Sequence, residues 1–339
     1  MKAFQIGAQN GLDALTATTR EDLVAGPGEV ILKTRLIGLN HRDLLLLSGT
    51  YGCSRPSHRI PLSEGVGEVI AIGDGVTTVK LGDRAIFAHF VTWLDGAFSP
   101  AVFGADYGIT HDGWLAEQIR VPGAALVPVP DSVSDTQAAV LASSGLTAWN
   151  ALVEVGGIKA GDLVLTLGTG GVSIYALKIA VAHGARVAIT SSSDEKLALA
   201  RSLGAAITIN YRTTPDWAAE LLRQTGGRGV DIIVENGGQA TLPQSIAAAA
   251  ANGRIVVIGA LAGAATGGIA NYGTIIGKNL TLRGIAEGSR AMLVRLVHAV
   301  AANAITPVVD RVFPFDQAPE AYAYLKSGQH VGKVLIAVD

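Results

Sequence analysis

The stretch from Asp162 to Gly184, DLVLTLGTGGVSIYALKIAVAHG, constrains the fold more than any other part of the 339-residue sequence. Its first apolar run, residues 163–167, is short and bounded by turn-forming residues, which is typical of a strand buried on both faces. A glycine-rich turn follows at 168–171, and apolar residues then recur at helical spacing until Gly184. The pattern predicts a parallel strand, a tight turn and a helix.

The turn matches G-x-G-x-x-G except that Ser173 stands at the last position. Gly168 and Gly170 permit a tight turn and the close approach of a pyrophosphate, and a serine is small enough for the helix–strand packing that the third glycine serves. Backbone N–H groups and the positive end of the helix dipole converge there, which favours an anion. The turn could also simply connect two elements, but the strand before it and the helix after it favour a dinucleotide site.

Five more strand patterns alternate with helix patterns after this turn. The strands are expected at 186–190, 207–210, 231–235, 254–259 and 280–285, and helices at 194–203, 215–225 and 242–251. Six strands with intervening helices predict a doubly wound parallel sheet, so the fold class is α/β.

The first 125 residues have a different pattern, with short β-branched segments separated by turns and a short helix at 44–47. They predict a β-rich, partly open barrel. The last strand, 333–338, lies beyond the sixth strand of the parallel sheet and is expected to return to this domain. The predicted catalytic domain therefore comprises 1–125 and 287–339, and the cofactor domain comprises 126–286.

Composition limits the classes of function. A formal net charge of −2 gives no electrostatic reason to expect nucleic acid or a membrane surface as a partner. No apolar stretch approaches the length of a membrane span, and the first residues lack an export signal. The single cysteine, Cys53, excludes an internal disulfide and a cysteine-rich zinc lobe. We expect a cytoplasmic enzyme that acts on a small molecule.

The second strand of the parallel sheet indicates which dinucleotide is bound. A site for NAD usually has Asp or Glu at the end of that strand, whereas this strand ends TSSS at 190–193. The acids at 194 and 195 fit helix capping better. Small hydroxyls near Lys196, Tyr211 and Arg212 suit a 2′-phosphate, although they could be ordinary surface residues. The sequence favours NADP over NAD.

Tyr51, in the turn SGTYG, is the candidate for acid–base chemistry. A phenol can donate a proton or hydrogen-bond a developing enolate, and bound NADP⁺ would favour its ionised form. A loop tyrosine that only packs on its neighbours is an equal alternative. Asn40 offers a neutral amide that could orient a carbonyl.

No metal is expected. A cysteine, two histidines and two acids lie near one another in sequence, but their spacing matches no known set of zinc ligands. These five residues are Cys53, His41, His58, Asp43 and Glu64.

Together these motifs resemble the medium-chain dehydrogenase/reductase superfamily, and most closely its zinc-free branch of quinone-oxidoreductase-like and alcohol-dehydrogenase-like proteins. The resemblance covers essentially the whole chain and implies a GroES-like catalytic domain with an inserted Rossmann domain that binds NAD(P), usually in a dimer or tetramer. The matching segments are GLNHRD (38–43), IPLSEGVGEV (60–69), KLGDRAI (80–86), SSGLTAWNAL (143–152), LTLGTGGVSIYALKIA (165–180), ITSSSDEKLALARSLGA (189–205), INY (209–211), VDIIVENGG (230–238) and GKVLI (332–336).

The resemblance assigns roles to individual residues. The positions that match the metal ligands of zinc-dependent relatives hold Asn40, Ser63 and Ser143, which implies a metal-free site. Tyr51 lies eight residues after Asp43, the spacing of the active-site tyrosine in the family's 2-enoyl thioester reductases. The cofactor-binding residues implied for the pyrophosphate, the 2′-phosphate and the nicotinamide side are Thr147, Gly168, Thr169, Gly170, Gly171, Val172, Ser191, Ser192, Lys196, Tyr211, Asn236 and Gly259.

The expected function is zinc-independent transfer of hydride from NADPH to an enone, an enal or a quinone, by a homodimer. Without a Lewis acid, the oxygen of an alcohol or ketone is harder to polarise, whereas charge from hydride addition to an enone spreads onto the enolate. One alternative is a metal-free NADP-dependent alcohol dehydrogenase or ketone reductase. Another is an NADPH-binding protein with little catalysis.

Overall fold

A computed structural model describes residues 1–51, 57–259 and 270–338. The chain divides into two compact units, Met1–Leu146 with Gly288–Asp339, and Thr147–Glu287. The sequence had placed residues 126–146 with the cofactor domain. They lie in the first unit because the strand at Val127–Pro128 pairs with the strand at Arg84–Ile86.

The described residues form fifteen strands, numbered in chain order. They are β1 (Lys2–Ile6), β2 (Leu15–Thr19), β3 (Glu29–Gly38), β4 (Glu64–Ile72), β5 (Arg84–Ile86), β6 (Gln118–Pro122), β7 (Val127–Pro128), β8 (Leu163–Leu167), β9 (Arg186–Ser191), β10 (Ile207–Asn210), β11 (Val230–Glu235), β12 (Ala249–Val257), β13 (Thr281–Gly284), β14 (Val309–Pro314) and β15 (Lys333–Ala337).

The same residues form ten α-helices. They are α1 (His41–Leu47), α2 (Asp135–Ala138), α3 (Leu146–Trp149), α4 (Gly171–Ala182), α5 (Asp194–Ser202), α6 (Trp217–Gln224), α7 (Leu242–Ala248), α8 (Tyr272–Gly277), α9 (Arg290–Asn303) and α10 (Ala318–Ser327). None of these described helices is both long enough and apolar enough to cross a membrane.

The first unit is built on a seven-stranded sheet of order β14-β15-β3-β4-β5-β7, in which β6 also pairs with β3. The ten-residue strand β3 is its centre, because it pairs antiparallel with β4, β6 and β15. The register Leu335↔Gly38 confirms the prediction that the last strand returns to the N-terminal domain. The strands β1 and β2 form a separate antiparallel pair.

The second unit is a six-stranded sheet of order β10-β9-β8-β11-β12-β13 in which every pairing is parallel. This order confirms the predicted doubly wound sheet, with β8 and β11 adjacent where the strand order reverses. All five residues of β8 are buried, as expected of a strand covered on both faces. The fold is therefore α/β, with a GroES-like unit and a Rossmann-like unit.

Several elements differ from the sequence prediction. The helix expected at 44–47 begins at His41, because the Asp43 carboxylate accepts a hydrogen bond from the Asn40 backbone N–H and caps its first turn. The pattern did not predict the strand pair β1–β2, the strand β14 or the helices α8 and α10. These elements are short, or their apolar residues follow no clear period, so tertiary packing determines them.

Candidate functional site

The glycine turn between β8 and α4 has the geometry of a phosphate site. Gly168 has φ +76°, in the left-handed region that favours glycine. A Cβ atom at Gly168 or Gly170 would meet no atom within 4 Å, so the turn borders open space. The twelve-residue helix α4 begins at Gly171, and its first backbone N–H groups lack intrahelical acceptors. Gly171, Val172 and the turn before them fit a pyrophosphate, with Thr169 buried beneath.

Ser173, which stands where the fingerprint has its third glycine, links three elements. Its side chain is buried, and its Oγ donates a hydrogen bond of 2.7 Å to the Leu167 carbonyl. The same Oγ accepts a 3.0 Å hydrogen bond from Asn236 Nδ2. The serine thereby joins the end of β8, the start of α4 and the residue that follows β11. Size alone suggested only that serine would be tolerated there, so this role is new.

The loop after β11 is held by the buried carboxylate of Glu235. One oxygen accepts hydrogen bonds from the backbone N–H groups of Gly237 and Gly238 (both 2.9 Å) and from the Thr241 hydroxyl (2.6 Å). The other accepts a hydrogen bond from the Ser245 hydroxyl. The structure thus fixes the loop that carries Asn236.

Gly259, the other residue expected on the nicotinamide side, lies against Asn236. A Cβ atom added at Gly259 would be 3.1 Å from the Asn236 carbonyl oxygen. This contact brings the two predicted residues together.

The ends of β9 and β10 bring together the residues expected at the 2′-phosphate. Ser191 is buried, its Oγ lies 3.5 Å from Thr169 Oγ1, and its carbonyl accepts a hydrogen bond from the Tyr211 backbone N–H (3.0 Å). The Tyr211 side chain is 43% exposed and is therefore accessible to a ligand. Ser192 and Lys196 flank the N-cap of α5, Ser193, whose Oγ accepts from the Lys196 backbone N–H.

The nearest carboxylate to this strand end is already engaged. Asp194 Oδ1 accepts a 2.9 Å hydrogen bond from Asn210 Nδ2, at the end of the neighbouring strand. Asp194 therefore links α5 to β10, whereas the side chain that caps α5 is that of Ser193. Thr147, the first residue of the second unit, is buried in α3.

Asn40 in the first unit belongs to a buried polar network. Its Nδ2 donates to Glu64 Oε1 (2.9 Å), and its Oδ1 accepts from the Lys333 ammonium (2.8 Å). Lys333 also donates to Glu64 Oε1, and Glu64 Oε2 accepts from the backbone N–H of Ser143 (2.8 Å). Both the nitrogen and the oxygen of the Asn40 amide therefore take part in this network.

The positions that the resemblance matches to metal ligands of zinc-dependent relatives hold Asn40, Ser63 and Ser143. An amide and two serine hydroxyls replace the thiolate and imidazole ligands that zinc prefers. The Asn40 amide is already hydrogen-bonded at both ends, and Ser143 meets Glu64 through its backbone. In the described part of the chain, His, Cys, Asp and Glu form no group of three suited to a metal. Cys53 lies outside the described residues.

Asp43, two residues after the start of α1, is buried and has an unusual pKa. Burial is the main cause and raises it to about 7, although Arg42, the Asn40 backbone N–H and Lys333 favour the charged form. The neighbouring Glu64 carboxylate opposes ionisation of Asp43. This carboxyl group therefore changes its charge near neutral pH.

Tyr51 is half-buried and lies next to a cluster of three charged or polar side chains. The Arg42 Cζ lies over the Tyr51 ring, 4.9 Å from its centroid. Arg42 Nη2 donates to both oxygens of Asp106 (3.0 and 2.9 Å), and Arg42 Nη1 lies 2.7 Å from His89 Nε2. His89 Nδ1 lies 2.7 Å from Asp106 Oδ1. We call Arg42, His89 and Asp106 the arginine clamp.

The sequence did not identify the arginine clamp. Its local signals are Arg42 in the motif GLNHRD and a histidine, His89, three residues after β5, and neither indicates the contact between them. Asp106 reaches His89 because Phe90 and Asp106 form an antiparallel bridge at the base of the segment between them. That bridge follows no periodic pattern, so it could not be predicted.

Two family models match the chain. The alcohol dehydrogenase GroES-like domain matches residues 26–131, and the zinc-binding dehydrogenase domain matches residues 171–302. Among characterised relatives, a zinc-type alcohol dehydrogenase-like protein of Schizosaccharomyces pombe is 42% identical over 92% of both chains. A quinone oxidoreductase of Pseudomonas aeruginosa is 30% identical over 99% of both chains.

Solved structures agree with this relationship over the whole chain. A protein of Sinorhizobium meliloti 1021 is 38% identical, with a TM-score of 0.91 and coverage of 99% of this chain and 98% of that one. An NAD-dependent alcohol dehydrogenase is 31% identical (TM-score 0.90, 100% of both chains). A mycobacterial protein complexed with NADPH is 27% identical (TM-score 0.83, 99% of both chains). The chain therefore belongs to the medium-chain dehydrogenase/reductase superfamily of oxidoreductases.

Proposed function

We propose that the protein is a zinc-independent, NADPH-dependent oxidoreductase that transfers hydride to an enone, an enal or a quinone. The observation that carries the proposal is the network of Asn40, Glu64 and Lys333, in which Asn40 stands at a position that the resemblance matches to a zinc ligand of metal-dependent relatives. A site without a Lewis acid suits an acceptor that spreads the developing charge over its own conjugated atoms.

The preference for NADPH rests on the end of β9. Hydroxyl groups of Ser191 and Ser192, together with Lys196 and the exposed Tyr211, offer hydrogen-bond donors and a positive charge to a 2′-phosphate. Asp194, one of the two acids in the first turn of α5, is hydrogen-bonded to Asn210. Solved relatives include both an NAD-dependent enzyme and an NADPH complex, so they do not distinguish the two cofactors. The preference for NADPH therefore rests on this chain's own residues.

The rest of the cofactor fits the second unit. Thr169, Gly170, Gly171 and Val172 offer backbone N–H groups to the pyrophosphate, and Asn236 and Gly259 lie together on the proposed nicotinamide side. When bound, NADPH supplies the hydride for the β-carbon of the acceptor and becomes NADP⁺.

We assign the proton to Tyr51. The electrons of the C=C bond move onto the carbonyl oxygen as the new C–H bond forms, which gives an enolate. The Tyr51 phenol donates its proton to complete the reduction, so one hydride and one proton are added in total. The phenolate that remains lies beneath the Arg42 guanidinium, 4.9 Å from the ring centroid.

Loss of NADPH absorbance with a panel of enones, enals and quinones tests the proposal. We expect turnover of these acceptors, a higher kcat/KM with NADPH than with NADH, and a large loss of kcat in Tyr51→Phe. Turnover of saturated ketones or alcohols alone would contradict it and support the second candidate, a metal-free NADP-dependent alcohol dehydrogenase or ketone reductase. Stoichiometric zinc in the purified protein would overturn the assignment of the site.

A further inference from the structure

The arginine clamp holds one cation with unusual firmness. Side-chain exposure is 11% for Arg42, 1% for His89 and 6% for Asp106, so all three are withdrawn from water. Arg42 Nη2 contacts both oxygens of Asp106 while Nη1 contacts His89, and contacts at two nitrogens fix both the position and the plane of the guanidinium. Arg42 lies in α1, and His89 lies shortly after β5. Asp106 lies 64 positions after Arg42 in the sequence. Burying these charged side chains costs desolvation free energy. We take this cost as a sign that the position of the guanidinium matters.

The protonation states in the clamp follow from its contacts. Burial would raise the pKa of Asp106, but its interactions with His89 and Arg42 outweigh burial and lower the pKa below its usual value. Asp106 is therefore ionised. Because a guanidinium only donates and Arg42 Nη1 lies 2.7 Å from His89 Nε2, we assign the ring proton of His89 to Nδ1, which lies 2.7 Å from Asp106 Oδ1.

The cation faces the residue to which we assigned proton donation. Arg42 Cζ lies 4.9 Å from the Tyr51 ring centroid, which is within range of a cation–π interaction. A guanidinium at this distance stabilises a phenolate more than a phenol, because the phenolate carries a full negative charge. It therefore fixes the ring and also makes loss of the phenol proton easier.

We propose that Arg42 is a positioning residue for the reaction, which holds Tyr51 in place and stabilises the phenolate left after proton donation, and that Asp106 and His89 fix Arg42 for this role. The proposal rests on the proposed function, since it assumes that Tyr51 donates the proton. It adds three residues to the site, of which only Arg42 lies in a motif of the sequence, GLNHRD.

A second group of buried charged side chains is coupled to the clamp through Asp43. Asp43 on α1 interacts electrostatically with Arg42, with Lys333 on β15 and with Glu64 on β4. Because Arg42 lowers the pKa of Asp43, Arg42→Met is expected to raise the pKa of Asp43. The neutral and the alkaline limbs of each pH profile are therefore compared separately between the wild type and the Arg42 variants.

The first experiment is a double-mutant cycle with Arg42→Met and Tyr51→Phe. In the Tyr51 protein, Arg42→Met is expected to lower kcat about tenfold with little change in KM. The fall in kcat at alkaline pH, where the phenol has lost its proton, is expected to move up by roughly one pH unit. Arg42→Lys, which keeps a positive charge, is expected to recover part of both effects. In the Tyr51→Phe protein, Arg42→Met is expected to change kcat by less than about twofold.

The second experiment does not depend on turnover. Tyrosinate absorbance is titrated for each protein, and subtraction of the Tyr51→Phe curve isolates the phenol of Tyr51. Arg42→Met is expected to shift its midpoint to higher pH by roughly one unit, and Asp106→Asn by less, since the cation remains. Unfolding midpoints and NADPH binding of every variant are measured alongside. If Arg42→Met does not fold, the midpoint of the Tyr51 titration is compared between the wild type and the Arg42→Lys and Asp106→Asn proteins.

The outcomes separate the two proposals. An equal loss of kcat from Arg42→Met in the Tyr51 and Tyr51→Phe proteins, or an unchanged midpoint, would show that Arg42 does not act through Tyr51. Full activity of Tyr51→Phe would instead remove the tyrosine from the proposed mechanism, even if Arg42→Met still shifted the phenol titration.

Discussion

Lys333, at the start of the last strand, donates a hydrogen bond to Glu64 in a pair of side chains that are 3% and 0% exposed. The ammonium also reaches the Leu39 carbonyl (2.5 Å) and Asn40 Oδ1 (2.8 Å). Its three donors are thus all used, and Glu64 receives further hydrogen bonds from the backbone at Ser143 and Ser144. The pair joins β15 to β4 through the N-cap of α1.

Removing the cation alone is expected to destabilise the first unit strongly. Lys333→Met leaves the Glu64 carboxylate buried without its counter-charge, which costs about 3–5 kcal/mol of unfolding free energy. Lys333→Met/Glu64→Gln is expected to recover part of this loss, because the remaining amide is neutral. Urea denaturation of the two variants measures the difference. A double variant less stable than Lys333→Met would contradict the pairing.

Asp43 is expected to make stability depend on pH. Burial raises its pKa to about 7, whereas the unfolded chain has a value of about 4. Between these values the folded state binds a proton that the unfolded state does not, so stability from this group falls as pH rises toward 7. Between about pH 5 and pH 8 the wild type is expected to lose about 2–3 kcal/mol relative to Asp43→Asn. If the unfolding free energies of the two proteins depend on pH in the same way, the pKa of Asp43 is not raised by folding.

Ser173 is expected to matter for cofactor binding as well as stability. Ser173→Ala removes the hydrogen bonds to the Leu167 carbonyl and from the Asn236 amide, at a cost of about 1–3 kcal/mol. A freed Asn236 is expected to weaken NADPH binding several-fold, measured by fluorescence titration. Ser173→Gly, which restores the common fingerprint, is expected to behave like Ser173→Ala. Ser202→Ala, at an exposed site on α5, is the matched control, and an equal effect there would refute the role of Ser173.

Lys196 is expected to discriminate between the two dinucleotides. Lys196→Ala is expected to raise KM for NADPH about tenfold, because one charge-assisted contact to the 2′-phosphate is lost. KM for NADH is expected to change little, and added salt should reduce the difference. Steady-state kinetics with both cofactors measure this, with Lys80→Ala on the surface as control. A similar rise for both cofactors would place Lys196 away from the 2′-phosphate.

The second unit could be predicted from sequence because its signals are local. The strand, turn and helix from Leu163 to Ala182 are contiguous, and the six strands alternate regularly with helices. The order of strands then follows from the doubly wound topology. Ser191 and Tyr211 could be expected together because parallel neighbours end at the same edge of the sheet.

The site in the first unit depends on contacts that no local pattern carries. Glu64 and Lys333 are 269 positions apart, and Arg42 and Asp106 are 64 positions apart. The sequence indicated Asn40 and Tyr51 but not the groups that hold them. Buried charges are rare and are placed by their partners, so hydrophobic periodicity does not reveal them.

The last strand, β15, lies inside the first sheet and not at its edge. This position affects the order in which the chain can fold during synthesis. The strand lies between β14 and β3, and Lys333 bonds to Leu39 across 294 positions. The second unit is contiguous in sequence, so all of it leaves the ribosome before β15 is made. Until then β6 covers residues 29–33 of β3 on the side that β15 later joins, but residues 36–38 lack their partner, and their backbone N–H and C=O groups remain open to pairing with other chains. The nascent chain therefore carries a short unpaired strand edge until β15 is made.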